Sequence, residues 1–133
     1  MGYVYAETEC HRLFISGGKS AEGTLSELVA SQLKPRLSMD EARYAHCLTV
    51  LDNRFLLSSG GLSKGTVDAL QSCEKYDIFK DTWESMASMR TCRASHATVV
   101  QHGVVYVFGG FANGVHLDVI ERFAGLDWQV VST

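Results

Sequence analysis

The stretch VVYVFGG at residues 104–110 is the most informative part of the chain, because its apolar run and closing glycine pair occur three times. The same pattern is present as LFISGG at residues 13–18 and as FLLSSGG at residues 55–61. The first glycines of the three pairs lie 43 and then 49 residues apart. A pattern with such a period indicates stacked copies of one supersecondary unit.

Other features share this period. An Arg-x-x-His element at residues 43–46 returns 50 residues later, and a Glu-x-aromatic element at residues 74–76 returns 47 residues later. Trp83 and Trp128 lie 45 residues apart. Several features with nearly one spacing make a stronger signal than a glycine pair alone.

This set of features resembles the Kelch repeat, in which an arginine precedes two apolar strands, a glycine pair, a Glu-x-Tyr-like strand and a tryptophan strand. The resemblance implies an all-β fold, a Kelch-type β-propeller segment of three four-stranded antiparallel blades. We expect a single Kelch-repeat domain over 1–133, with blade 1 at about 1–39, blade 2 at about 40–89 and blade 3 at about 90–133.

The first unit departs from the pattern, because no aromatic residue lies between its glycine pair and Met39. Residues 27–29 are the candidate replacement for the Glu-x-Tyr strand, and Leu33 is the candidate for the tryptophan position. Its leucines and valine also fall near helical spacing. Residues 23–38 therefore form either a degenerate blade or a helix.

Closed propellers typically contain about four to eight blades, and this chain supplies only three. We expect a partial or half propeller. Either the chain is part of a longer one, or a homodimer completes a six-bladed ring, a size that Kelch propellers commonly adopt. Left alone, the two terminal blades would expose large apolar faces to water.

Composition excludes several classes of partner. The net charge is -3 and no basic stripe is present, so we expect no nucleic-acid binding. No apolar run approaches the roughly 20 residues of a membrane span, and the first residues lack the pattern of a signal peptide. The four cysteines form no Cys-x-x-Cys pair, so we expect no metal site, reduced thiols and a cytoplasmic protein.

Strand direction predicts where a partner binds. Successive strands of a blade are antiparallel, so the glycine pair at the end of the second strand shares a rim with the start of the first. The resemblance implies that this rim often binds an acidic peptide. The predicted partner-binding residues are Arg43, Arg93, Lys19, Ser20, Leu62, Phe111 and Asn113.

Two roles are open for the repeated arginines. If Arg43 and Arg93 are free at the rim, they hold carboxylates of a partner by charge-assisted hydrogen bonds. Replacing Arg93 by alanine would then weaken binding and leave the melting temperature nearly unchanged. In the alternative, each arginine ties adjacent blades together through a carboxylate.

The family resemblance favours a non-enzymatic protein-interaction module, a substrate adaptor of a ubiquitin ligase or a cytoskeletal scaffold. The alternative is a propeller enzyme that acts in its channel on a sugar or a redox substrate. No pair of acidic residues sits on the predicted rim except Asp40 and Glu41, so general acid–base chemistry lacks candidates. We therefore predict no catalytic residues and no cofactor.

Overall fold

The computed structural model describes residues 3–17, 23–63 and 68–131, which form strands, turns and loops. Three four-stranded sheets, here called blades, and one small hairpin account for the strands. Blade 1 contains β1 (Tyr3–Glu7), β2 (Leu13–Gly17), β3 (Leu25–Val29) and β4 (Gln32–Arg36). Blade 2 contains β5 (Cys47–Leu51), β6 (Phe55–Ser59), β7 (Cys73–Asp77) and β8 (Thr82–Met86). Blade 3 contains β9 (Ala97–Gln101), β10 (Val104–Phe108), β13 (Ile120–Ala124) and β14 (Asp127–Val131), and the hairpin is β11 (Phe111–Ala112) with β12 (Val115–His116).

Each blade is an antiparallel meander in chain order. The hairpin β11–β12 lies in the loop between the second and third strands of blade 3. Strand β5 contacts both β1 and β9, which places the first strands of the three blades side by side. The predicted all-β fold of three four-stranded antiparallel blades is confirmed. The blade limits at about 39 and 89 stay predictions.

Residues 23–38 contain two strands and not a helix. Leu28 pairs with Leu33, as Tyr76 pairs with Trp83 in blade 2. Leu33 thus occupies the tryptophan position, as its place in the repeat predicts.

The glutamate of this segment differs from its prediction by one residue. By strand register Ser26, not Glu27, holds the position of Glu74. A shift of one residue turns a side chain to the opposite face of a sheet. Glu27 therefore faces blade 2, where Arg12 donates to it at 2.7 Å and Arg36 at 2.5 Å.

The core lies between the blades. Blade 2 packs one face against blade 1 and the other face against blade 3. These two interfaces contain two separate apolar clusters. Between blades 1 and 2 the buried residues are Ala6, Phe14, Leu25, Leu48, Leu56, Tyr76 and Ile78. Between blades 2 and 3 they are Leu57, Cys73, Met89, Val105, Val107 and Trp128.

Both tryptophans tie a blade to the chain segment before it. The two segments that link consecutive blades, 37–46 and 87–96, are here called connectors. The indole N–H of Trp83 donates to the carbonyl of Leu37 at 2.7 Å, and that of Trp128 donates to the carbonyl of Ala87 at 2.9 Å. Trp128 is fully buried, whereas Trp83 is partly exposed.

All four cysteines carry free thiols. Burial raises the pKa of Cys47 to about 11 and that of Cys73 to about 12, so both stay protonated at neutral pH. In the part of the chain that the structure describes, no helix has the length and apolarity required to cross a membrane.

Candidate functional site

In blades 2 and 3 the glycine pair brings the loop after the second strand against a connector. In blade 2 the backbones of Leu62 and Tyr44 exchange hydrogen bonds of 2.7 and 3.0 Å. In blade 3 those of Phe111 and Ala94 exchange two bonds of 3.0 Å. These repeated bridges form one rim of the molecule, here called the glycine rim.

In blades 2 and 3 the second glycine of the pair lies where a side chain has no room. Gly61 has a φ of 99°, and a Cβ there would lie 2.6 Å from the carbonyl oxygen of Tyr44. Gly110 has a φ of 86°, and its Cβ would lie 2.5 Å from the carbonyl oxygen of Ala94. Glycine is thus required both by its left-handed backbone and by the close approach of the connector.

We expect Gly110→Ala to lower the free energy of unfolding by about 1–3 kcal/mol more than Gly114→Ala, the range seen when a packed site is overfilled. The two glycines make a matched pair. Both have positive φ, at 86° and 79°, but a Cβ at Gly114 would contact nothing within 4 Å. Urea unfolding of the two variants measures the difference, and equal losses would mean that the connector moves aside without cost.

Arg43 is buried beneath the glycine pair of its own blade. Its side chain is 0% exposed. One terminal nitrogen, Nη1, donates to the carbonyls of Gly60 and Ser72, both at 2.8 Å. The other, Nη2, donates to Glu74 at 3.1 Å and to Glu41 at 3.2 Å. The guanidinium is thus bound by one blade and the connector that leads into it.

Arg93 repeats this arrangement in blade 3. Both its side chain and that of Glu121 are 0% exposed, and they form an ion pair of 2.8 Å. Arg93 Nη1 donates to the carbonyls of Gly109 and Val119, both at 2.9 Å. Glu121 in turn accepts the backbone N–H of Arg90 at 2.6 Å.

These contacts correct the prediction that Arg43 and Arg93 are free at the rim to bind a partner. Their terminal nitrogens are occupied by carbonyls and carboxylates of the same chain, and neither side chain reaches solvent. The structure supports the alternative, in which each arginine is a tie. The tie joins a connector to the blade that follows it, and not two adjacent blades as expected.

The repeated histidines join neighbouring blades. His46 Nε2 lies 3.2 Å from Ser16 Oγ, and His96 Nε2 lies 3.0 Å from Ser59 Oγ. Ser16 donates its only hydroxyl proton to the carbonyl of Thr24 at 2.9 Å, so it accepts from His46 Nε2–H.

Both histidines are neutral in this environment. Burial, with the nearby Arg43 and His96, lowers the pKa of His46 to about 3. Burial, with Arg93, lowers the pKa of His96 to about 4. These imidazoles therefore serve as uncharged joints between blades.

Three of the predicted partner-binding residues meet at one pocket, here called the rim pocket. It lies between the loops that follow the glycine pairs of blades 2 and 3, and has a volume of about 350 Å³. Leu62 and Phe111 supply its apolar walls, and Asn113 and Gly114 come from the turn of the hairpin. Asp68 adds a carboxylate that the sequence analysis did not single out.

Two predicted residues, Lys19 and Ser20, lie outside the described residues, so their role stays a prediction. No sequence pattern indicates Asp68. A single aspartate in a loop forms no motif, and its only signal is that it shares a loop with Leu62. The serines that meet the histidines were missed for a similar reason, since their only signal is their place directly before a glycine pair.

Comparison with known proteins gives matches along most of the chain. The family model of the Kelch motif matches residues 92–123. Kelch-like protein 38 of Mus musculus is 36% identical over 95 residues, which cover 69% of this chain and 16% of that protein. Beta-scruin of Limulus polyphemus is 33% identical over 98 residues, which cover 72% of this chain and 10% of that protein. The chain thus spans a small part of the curated relatives that it matches.

A solved structure of YjhT has the same fold. It superimposes with a TM-score of 0.82 at 15% sequence identity. The match covers 97% of this chain and 50% of the YjhT chain. Nearly the whole chain therefore corresponds to half of a longer structure.

Proposed function

Because this chain belongs to the Kelch-repeat family and folds as a segment of a Kelch-type β-propeller, we propose that it is a non-enzymatic protein-interaction module. Its rim pocket binds an exposed segment of a partner protein. The observation that carries this proposal is the meeting of Leu62, Phe111 and Asn113, from two neighbouring blades, at one partly apolar pocket. Concave sites with apolar walls and a few polar groups are the usual form of a binding site.

The pocket chemistry favours an apolar side chain with a basic group beside it. Leu62 and Phe111 offer apolar surface, and the Asp68 carboxylate accepts hydrogen bonds from lysine or arginine. The acidic peptide expected from Arg43 and Arg93 loses its basis here, because both are occupied internally. Binding of an acidic group remains a proposal for Lys19 and Ser20.

The titratable groups beneath the rim favour binding over catalysis. Glu74 and Glu121 are paired with arginines, and the Nε2 atoms of His46 and His96 lie against serine hydroxyls. A general acid or base requires a proton that can reach the substrate. Groups engaged in this way stabilise the fold.

We propose two settings for this module, a substrate adaptor of a ubiquitin ligase and a cytoskeletal scaffold, both of which follow from the family resemblance. A cytoplasmic location is supported by the free thiols. We further propose that a second copy of the chain is one of its partners.

We expect Phe111→Ser to weaken binding at the rim about tenfold or more, as loss of an aromatic at the centre of an interface does. The probe is a peptide selected from a random phage-displayed library on the immobilised native chain, with its affinity measured by calorimetry. The backbone bonds of Phe111 to Ala94 do not depend on its side chain, so the variant keeps its fold. Selected peptides should carry an apolar residue next to lysine or arginine, and Asp68→Asn should reduce the contribution of the basic residue.

Phe79→Ser is the matched control. Phe79 is an exposed aromatic in the turn between β7 and β8, on the edge of blade 2 opposite the glycine rim. It should leave the affinity unchanged. Peptides that bind native chain and Phe111→Ser equally well, or a library that yields no binder, would reject the rim pocket as the site.

A further inference from the structure

Blade 1 leaves one face of its sheet open. In blade 2, the front face packs against blade 1 and the back face packs against blade 3. The faces of blades 1 and 3 are named front and back by the same strand register. The front face of blade 1 carries Tyr3, Tyr5, Leu13 and Ile15, which line an open concavity of about 530 Å³ together with Val4 and Glu7. Tyr5 is 72% exposed.

Blade 3 leaves its back face open. Strand register places Val99, Tyr106, Phe108 and Ile120 on this face. Val99 is 46% exposed and Phe108 is 37% exposed. The three described blades therefore present two sheet faces that expose apolar side chains, one front and one back.

The joints inside the chain show what covers such faces. At both of them a back face packs against the front face of the next blade. Phe14 of the back face of blade 1 shares a buried cluster with Leu56 of the front face of blade 2. Leu57 of the back face of blade 2 shares one with Val105 of the front face of blade 3.

Register shows which residues of the open faces correspond. Val99 holds the position that Thr49 holds in blade 2, and Tyr5 holds the position that Thr98 holds in blade 3. At the joint of blades 2 and 3 these threonine hydroxyls lie 2.6 Å apart. At the joint of blades 1 and 2 the same positions hold two apolar residues of one cluster, Ala6 and Leu48. The two positions thus hold residues of one kind at each internal joint, and at the open faces they hold Val99 and the aromatic ring of Tyr5.

A second pair of facing positions also differs between the open faces and the internal joints. Phe108 holds the position of Ser59, and Tyr3 holds that of His96. Inside the chain these positions form the polar serine–histidine contact. At the open faces both members are aromatic, so packing of two rings would take the place of the polar contact.

We propose that the back face of blade 3 docks on the front face of blade 1 of a second copy, in the register of the internal joints. Two chains then close a ring of six blades through two identical joints, each with Val99 against Tyr5 and Phe108 against Tyr3. A head-to-tail contact of this kind closes when the rotation between copies completes a circle, and the chain corresponds to half of a longer propeller chain. The inference specifies the second-copy partner proposed above and does not depend on the rim pocket.

The test uses two single variants, Val99→Lys and Tyr5→Glu, and their mixture, with mass measured by analytical ultracentrifugation. The native chain should sediment at twice the chain mass of 14.6 kDa. Each single variant buries an unpaired charge at both joints, so its dissociation constant should rise about tenfold or more. In an equimolar mixture one joint holds the two introduced charges and the other holds the native pair, so the dimer mass should return.

The control is Leu126→Lys. Leu126 is 92% exposed in the turn between β13 and β14, outside both open faces, so this change should leave the mass unchanged. A native chain that is a folded monomer overturns the proposal. The proposal also fails if only one of the two single variants loses the dimer, because that result indicates a joint between two copies of the same face. A mixture that stays monomeric also overturns it. Peptide binding at the rim pocket is scored separately, so failure of either proposal leaves the other standing.

A second set of variants covers the case in which a buried charge prevents folding. Phe108→Ser alone should weaken the dimer, and Phe108→Ser combined with Tyr3→His should restore it, because the pair reproduces the contact of Ser59 with His96. Circular dichroism checks that each variant keeps its strands. A double variant no tighter than Phe108→Ser contradicts the proposed register.

Discussion

We expect Arg93→Met to lower the free energy of unfolding by about 3–5 kcal/mol, because removing one partner of a buried ion pair leaves the other charge uncompensated. Glu121 is 0% exposed and lies 2.8 Å from the guanidinium that this change removes. The carbonyls of Gly109 and Val119 lose a donor at the same time. This outcome is the opposite of the small stability change expected for a free arginine at the rim.

The control is Arg54→Met, which removes an arginine from an ion pair that water reaches. The Arg54 side chain is 38% exposed and pairs with Asp77 at 2.9 Å. Exposed pairs contribute little to stability, so this variant should lose far less than Arg93→Met. Urea unfolding at one protein concentration compares them. The double variant Arg93→Met with Glu121→Gln should recover part of the loss, and its failure to do so would mean that the pair charge is not the cause.

Acidification is the second large effect that we expect. Between pH 6.5 and pH 5 the chain should lose about 1.5 kcal/mol of stability for each of its two buried histidines. Burial lowers the pKa of His46 to about 3 and that of His96 to about 4, whereas both titrate near 6.5 when exposed. The unfolded chain thus binds protons that the folded chain excludes. The stability is fully present above pH 6.5 and decreases as the pH falls toward the folded values.

The physical cause is that an imidazolium has two donors and a charge. Nε2 of each histidine faces a serine hydroxyl, but Nδ1 has no hydrogen-bond partner among the described residues. Arg43 and Arg93 add like charge nearby. A proton placed on Nδ1 would therefore be buried without an acceptor.

Variants separate this effect from that of the carboxylates. The pKa of Glu27 is held below its usual value by Arg12 and Arg36, so its contribution is lost only at still lower pH. His46→Gln keeps a donor toward Ser16 and should remove about half of the pH dependence between pH 6.5 and 5. His116→Gln, on the exposed strand β12, should leave the dependence unchanged. Thermal unfolding at several pH values measures it, and a flat native profile in this range would contradict the prediction.

The blades were predictable from the sequence because glycine positions respond to backbone geometry. At Gly110 a Cβ would lie 2.5 Å from the carbonyl of Ala94, so any other residue is excluded and the pattern is visible in the chain. Leu33 was also predictable as the residue at the tryptophan position. It pairs with Leu28 as Trp83 pairs with Tyr76, although two fewer residues separate the partners in blade 1.

The site was harder to predict. The spacing Arg-x-x-His is the same whether Arg93 points to solvent or beneath the glycine pair, and its partner Glu121 lies 28 residues away. The side chain turns inward because two carbonyls and a carboxylate meet there, which only the folded blade reveals. Asp68 reaches the rim pocket from an irregular loop, where no periodic pattern places it.

The arrangement of charges bears on how such a protein gains or loses blades in evolution. Where both partners are described, each ion pair lies within one blade and the connector that leads into it, as Arg43 with Glu74 and Arg93 with Glu121 do. The joints between blades consist of neutral contacts, such as His96 with Ser59. A duplication or deletion of a whole repeat therefore carries both members of every such pair with it. Each repeat thus contains both partners of its buried ion pair, so a gene for this fold can gain or lose a repeat without leaving a buried charge unpaired.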